Sequence, residues 1–253
     1  DTEADDWGEI QNKGTLVIGI TEYAPMNYYD ENGTLVGFDT EFAQAVCDYL
    51  GLEAEFIVIN WGMKETELQS KNIDCLWNGM CITPERKENM AVSDPYLYNT
   101  QAMVMKADQA EAILADVSGK VVVAEAGSTG EQKLQGTIED DETVEVSAKE
   151  YFANSTYIAV DSMAKALMEV KAGTADIALV DSVCALGMVR PDSDYADLVV
   201  NMDNNFGDQF YGIAFRKGSD FTAMVNESIA KLKEDGTVAE LAEKYGLTDA
   251  LIQ

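Results

Sequence analysis

The chain has 253 residues, 47% of them hydrophobic and 25% charged, with a formal net charge of −29 at pH 7. Such a composition is globular rather than disordered, and the length suits one large domain or two lobes of about 100–150 residues each. The acidity excludes a nucleic-acid face, which needs clustered lysine and arginine, and argues against electrostatic docking on anionic lipid.

No run of eighteen apolar residues is present, so no membrane-spanning helix is expected. Histidine is absent, which removes serine–histidine triads, imidazole acid–base chemistry and the usual zinc sites. No metal and no cofactor is expected. The four cysteines, Cys47, Cys75, Cys81 and Cys184, are too few and too scattered for a disulfide framework. At about 100° per residue Cys47 is expected to point away from its helix's apolar stripe, favouring free thiols over a Cys47–Cys75 bridge. The acidic start, Asp1 to Asp6, is compatible with a removed export signal or lipid-anchor segment and equally with a trimmed cytosolic chain.

In chain order, residues 15–20 are an apolar, β-branched run expected to form a buried strand. The loop bearing Glu22 and Tyr23 follows. Asp30-Glu31-Asn32-Gly33 is turn chemistry, so residues 27–36 are expected to make a small hairpin. Gly37-Phe38-Asp39 opens a helix whose stripe is Phe38, Phe42, Ala45, Val46, Tyr49 and Leu50, with Gly51 ending it. Residues 55–59 are the next strand, Trp61 stands just past it, and residues 63–70 are helical. Residues 73–77 are a further strand, expected to break at Asn78-Gly79. This alternation implies parallel strands with crossover helices, whose ligands bind beyond the carboxyl ends of the strands. Glu22, Tyr23, Trp61 and Gly79 to Cys81 all fall on that rim.

Thr83 then has the character of an N-cap, Pro84 of the first helical residue and Glu85 of a first-turn acid. Arg86 lies in the same turn, where a guanidinium beside unpaired helix-start amides suits a carboxylate. The alternative role is a surface ion pair. A second unit follows: residues 101–106 as an extended crossing, residues 120–124 as a strand, a Gly127-Ser128-Thr129-Gly130 loop, and a helix from Glu131. The loop lacks the Gly-Lys-Ser/Thr of a nucleotide site but has amides to offer a smaller anion.

Residues 71–78 echo residues 173–180: each segment follows a helix, carries one Asp (Asp74, Asp176) at a strand start and leads to a polar loop. Two lobes of similar plan are therefore expected. The second copy ends at Asp181, which either caps the helix 182–189 or meets an ammonium group. Residues 198–201 and 210–215 are strands, and residues 219–232 and 237–245 are amphipathic helices. Crossings near residues 101–105 and 207–211 place residues 1–101 and 212–253 in lobe 1 and residues 102–211 in lobe 2, with a cleft and a two-strand hinge.

With these motifs in place, the sequence resembles family 3 of the extracytoplasmic solute-binding proteins of polar amino-acid ABC transporters. Gly37-Phe38-Asp39-Thr40-Glu41-Phe42 is similar to the family's signature helix, and Gly79-Met80-Cys81-Ile82-Thr83-Pro84-Glu85-Arg86 to its Gly-x-Thr/Ser-x-Thr-x-x-Arg ligand loop. Ser93-Asp94-Pro95-Tyr96, Tyr211-Gly212-Ile213-Ala214-Phe215 with Lys217-Gly218-Ser219, and Gly236-Thr237 with Leu241 and Lys244-Tyr245 complete the likeness, from about Gly14 onward. The resemblance implies a two-lobed α/β fold of the type II periplasmic-binding-protein class, with mainly parallel sheets flanked by helices. It also implies a monomer outside the cytoplasm, exported or lipid-anchored, that binds a free L-amino acid and delivers it to the transporter's membrane permease subunits.

By the same resemblance Arg86 clamps the ligand α-carboxylate with amides at Cys81 and Thr129, beside Met80 and Ser128. Asp181 and the Gly79 carbonyl take the α-ammonium, and Tyr23 and Trp61 sandwich the side chain. The family has a hydroxyl where Cys81 stands, and a thiol is a weaker donor. Glu22, Glu125 and Asp181, with planar Trp61, suit a cationic side chain such as arginine or lysine. Two alternatives use the same cleft: a cyclohexadienyl-dehydratase-like enzyme with Glu22 or Glu125 as acid, and an amino-acid sensor ectodomain. No nucleophile–base pair supports the former, and a binding protein without catalytic residues is expected.

Overall fold

Asp5 caps α1 (Asp6–Lys13) by accepting from the Gly8 amide at 3.1 Å, and Gly14 ends that helix in the left-handed conformation. This computed structural model describes residues 5–140 and 142–252. The described chain forms two units, one built from the residues up to Tyr98 and from Phe210 onward, the other from Asn99–Gln209.

The first passage through unit 1 runs β1 (Thr15–Ile20), β2 (Tyr28–Tyr29), β3 (Leu35–Val36), α2 (Phe38–Leu50), β4 (Glu53–Val58), a 3-10 turn (Trp61–Met63), α3 (Lys64–Gln69), β5 (Cys75–Cys81), α4 (Pro84–Asn89), β6 (Met90–Val92) and β7 (Leu97–Asn99). Unit 2 contains β8 (Gln101–Lys106), α5 (Ala110–Ala115), β9 (Val121–Glu125), α6 (Thr129–Gln135), α7 (Ala148–Tyr151), β10 (Thr156–Val160), α8 (Met163–Ala172), β11 (Ile177–Asp181), α9 (Ser182–Met188) and β12 (Leu198–Asn201). The chain returns through β13 (Gln209–Arg216) to α10 (Phe221–Glu234) and α11 (Thr237–Lys244). No helix among the described residues is long and apolar enough to cross a membrane.

The two sheets share one plan. Unit 1 has the order β4-β1-β5-β13-β6, with β7 on β13, and unit 2 has β10-β9-β11-β8-β12. In each, three parallel strands are followed by a strand running against them: β13 beside β5, β8 beside β11. The echoed aspartates build this likeness. The Asp74 amide donates to the Val17 carbonyl at 2.7 Å, and Asp74 Oδ2 accepts the Val17 N–H at 2.8 Å. Asp176 does the same to Val121, at 2.9 and 2.8 Å. Each aspartate thus ties the start of a central strand to its parallel neighbour.

Three expectations need correction. The chain does not leave the sheet at Asn78-Gly79: β5 is buried from Cys75 to Cys81, and the break is a bulge. Tyr211 and Gly212 pair with Cys81 and Met80, Ala214 and Phe215 with Leu76 and Cys75, so Ile213 alone spans Trp77 to Gly79. The buried residues of α2 are Phe38, Asp39, Thr40, Phe42, Ala43, Val46 and Cys47, whereas Tyr49 is exposed and Ala45 and Leu50 are only half-buried. Cys47 is therefore inside, near Cys75. All four thiols are buried and unbridged. Burial pushes the Cys47 thiol up to about 12, and burial, then Asp74 and Cys47, push Cys75 higher than an ordinary thiol.

In the unit 1 core Phe38 of α2 stacks on Tyr96 and Phe42 meets Tyr96 and Trp77 edge-on, while Trp61, Leu68, Ile73, Leu76 and Met80 form a second cluster. Unit 2 packs Met103, Met105, Val122, Ile177 and Leu179 against Ile113, Phe152 and Phe206.

Candidate functional site

Because β4, β1 and β5 are parallel, the segments leaving their carboxyl ends share one edge of unit 1. Trp61 leaves β4, Tyr23 leaves β1, and Gly79 to Cys81 end β5. Tyr23 is buried, and its hydroxyl is hydrogen-bonded to that of Tyr211, the residue paired with Cys81 across β13. Gly79 has φ +54°, and a Cβ there would lie 2.6 Å from Tyr23 Cε1 and 3.0 Å from Tyr211 Cε2. The bulge therefore needs glycine both for its backbone and for the two rings closing over it. Its amide donates to Asp39 Oδ2 at 2.6 Å, and Tyr96 donates to the same oxygen at 2.9 Å. Next to it, Asn78 donates to the Thr21 carbonyl at 2.9 Å and to Asn27 Oδ1 at 2.7 Å, while Thr21 donates to Asn78 Oδ1 at 2.7 Å. The loop carrying Tyr23 is thus held to β5 by buried amides.

Arg86 is 2% exposed, and its Nη1 donates to the Cys81 carbonyl at 2.7 Å, which fixes the guanidinium at the end of β5. Thr83 caps α4 as its sequence indicates, accepting from the Arg86 amide at 3.2 Å. That cap changes the expected anion site. Pro84 has no N–H, and those of Arg86 and Lys87 are taken by Thr83. The guanidinium therefore lies beside helix-start amides of Arg86 and Lys87 that Thr83 already uses. Cys81 is buried, as is Met80, which packs in the cluster under Trp61. Glu22 is exposed.

Lys64 was not expected here. It begins α3, three residues beyond Trp61, and is 7% exposed. Its Nζ lies 5.3 Å from the centroid of the Trp61 ring and donates to the Trp61 carbonyl at 3.3 Å. A lysine in a short helix gives the ordinary signal of a solvated face. The clue is its spacing from Trp61, which returns the ammonium to the indole within one turn.

In unit 2 the equivalent edge is formed by the ends of β10, β9 and β11. Asp181 ends β11 and is 2% exposed. It occupies the N-cap position of α9 but makes no side-chain cap; Oδ1 instead accepts from Gln101 Nε2 at 2.5 Å. Gln101 also donates to Gln209 Oε1 at 2.9 Å, and Asn99 donates to that oxygen at 2.8 Å. Ser128 and Thr129 follow β9, both buried. The Ser128 hydroxyl is used as the α6 cap, accepting from the Glu131 amide at 3.1 Å, whereas Thr129 Oγ1 is buried with no hydrogen-bond partner. Glu125, the last residue of β9, is 4% exposed. The sequence-indicated residues thus fall into two groups, Tyr23, Trp61, Gly79, Met80, Cys81 and Arg86 on one edge of unit 1, and Ser128, Thr129 and Asp181 on one edge of unit 2.

This arrangement has relatives. The L-cystine-binding protein TcyJ of Escherichia coli K12 is 32% identical over 241 residues, covering 94% of this chain and 84% of its own. The arginine-binding extracellular protein ArtP of Bacillus subtilis is 28% identical over 94% of this chain and 88% of its own. Among solved structures, an ABC uptake transporter substrate binding protein from Streptococcus pneumoniae with bound histidine superposes with a TM-score of 0.86 at 26% identity, covering all of both chains. The profile of the bacterial extracellular solute-binding proteins, family 3, matches residues 16–248, and the chain belongs to that family.

Proposed function

We propose that the protein captures a polar L-amino acid outside the cytoplasm and delivers it to the permease of an ABC transporter. The observation that carries this reading is the pair Arg86 and Asp181. Both are almost wholly buried, Asp181 as the last residue of β11 and Arg86 in α4 with its guanidinium on the carbonyl that ends β5. An α-amino acid carries a carboxylate that suits the guanidinium and an ammonium that suits the aspartate, and Thr129 Oγ1, buried without a hydrogen-bond partner, is a further group for it. Relatives that bind cystine, arginine and histidine support this reading.

A ligand that needs both units favours whichever arrangement of them satisfies it, so binding shifts the population toward that arrangement. The strands by which the chain leaves and re-enters unit 1, near residues 101–105 and 207–211, are the proposed hinge. Isothermal calorimetry on Arg86→Ala and Asp181→Asn tests the reading. Loss of one partner of a buried charged contact costs about 2–5 kcal/mol. Unchanged affinity in Arg86→Ala ends the assignment.

A further inference from the structure

β8 and β11 run antiparallel with Gln101 opposite Asp181, so the two side chains rise from the same face of the unit 2 sheet. Both are buried, at 1% and 2% exposure. Asn99, Ser182 and Gln209 complete a polar network around them, and all five residues belong to unit 2.

An amide side chain can face either way, and here a backbone donor sets the direction. The Val183 N–H can only donate, so the Asn99 atom it meets at 3.3 Å is Oδ1. The Ser182 hydroxyl donates to the same oxygen at 3.2 Å. Asn99 Nδ2 is thereby turned toward Gln209, whose Oε1 accepts at 2.8 Å. Facing that oxygen, Gln101 presents its NH2 group, and Nε2 donates to Gln209 Oε1 at 2.9 Å and to Asp181 Oδ1 at 2.5 Å. The relay ends in a donor aimed at the carboxylate.

The other side of the Gln101 amide is fitted as closely. Its Oε1 is buried without a hydrogen-bond partner, and a Cβ at position 130 would lie 2.8 Å from it. Gly130 is in the first turn of α6, next to Thr129. Gln101 therefore stands between two parts of the unit 2 edge, Asp181 and the start of α6. Arginine or lysine in its place would cancel the charge that an ammonium needs. A neutral amide holds the carboxylate in one orientation and leaves it negative, so the ligand does not have to order it.

We propose that Gln101 is a positioning residue for ligand binding, which orients Asp181 for the α-ammonium of the amino acid, and that position 130 is glycine to admit it. This rests on the amino-acid reading above and adds the group that presets its anion.

The test is calorimetry on the whole protein, with melting curves to confirm folding. The probe is whichever of the protein-forming L-amino acids and L-cystine binds the wild type most tightly. Gln101→Met keeps the length of the side chain and removes its donors, and it loses about tenfold in affinity, the weight of one hydrogen bond to a charge. In the Asp181→Asn background, read by melting shifts at millimolar ligand, the same change costs less than about threefold, because the charge it positions is gone. Gly130→Ala displaces the same amide from its other side; it gives the same pair of results and carries the test if Gln101→Met does not fold. Wild-type affinity in Gln101→Met overturns the proposal alone. So does an equal loss with and without the Asp181 charge, which a merely structural glutamine would give. A wild type that binds none of these amino acids overturns it together with the reading on which it rests.

Discussion

Asp39 accepts the backbone N–H of Gly79 at 2.6 Å from a position with no exposure to solvent. It thereby joins the first turn of α2 to the bulge beside Arg86. Burial raises its carboxyl from the ordinary 3.8 to about 7, against the opposing effects of the Gly79 amide, the Tyr96 hydroxyl and the Trp77 indole. A carboxyl whose folded pKa is raised stabilises the fold fully only below its unfolded value, and that contribution is lost as pH climbs toward the folded value. The gap corresponds to roughly 4 kcal/mol. The protein should therefore lose stability from Asp39 between pH 4 and 7. Urea titrations across that range should show a flatter pH profile for Asp39→Asn, whose amide oxygen still accepts from Gly79. An identical pH profile in the two proteins refutes the assignment.

Gly79→Ala should damage binding more than its size suggests. The new methyl meets the Tyr23 ring at 2.6 Å in a backbone conformation that side chains rarely adopt. We expect about 1–3 kcal/mol of lost stability and a displaced Tyr23. Ligand affinity should fall by about tenfold or more, as for a misplaced contact group. Calorimetry beside urea unfolding reads both effects, and wild-type affinity would show that Tyr23 is not needed.

The twin aspartates should differ in cost despite identical strand contacts. Asp74 also meets Lys13 at 2.5 Å and Arg216 at 3.6 Å. Asp74→Asn keeps an acceptor for Val17 but removes that charge from a nearly buried cluster, at about 2–3 kcal/mol. For Asp176→Asn we expect about 1 kcal/mol, the weakening of one hydrogen bond. Equal losses in chemical denaturation would contradict this account of Asp74.

Cys81→Ser replaces a weak donor by a stronger one at the end of β5, beside Arg86. If the ligand carboxylate lies there, affinity should rise by about 1 kcal/mol with little change in melting temperature. A fall in affinity would place the carboxylate elsewhere.

Much of the fold was written in local sequence. Strands 15–20, 101–106 and 198–201 are observed at those limits as β1, β8 and β12, as short apolar runs whose ends are marked by polar or turn residues. The Thr83 cap, the Asp30 turn and the echo of Asp74 with Asp176 are equally local. The bulge at Gly79 is not, since only the register of β13, more than a hundred residues later, distinguishes a bulge from a strand end. The buried face of α2 was misjudged for a similar reason. Asp39 is drawn inside by Gly79 and Tyr96, partners that no helical periodicity reveals. At the candidate site Arg86 stood out as a guanidinium in a helix's first turn and Asp181 as a lone carboxylate ending a strand. Lys64 did not, because its burial depends on how α3 lies against Trp61.

The position of β13 bears on how the molecule is made. When a growing chain has reached Asn201 it has specified every strand of the unit 2 sheet, from β8 to β12. Unit 1 at that moment still lacks the strand that separates β5 from β6. The unit begun first is the last to be completed, and a chain that stops short of Arg216 leaves open strand edges of the kind that seek partners in other molecules.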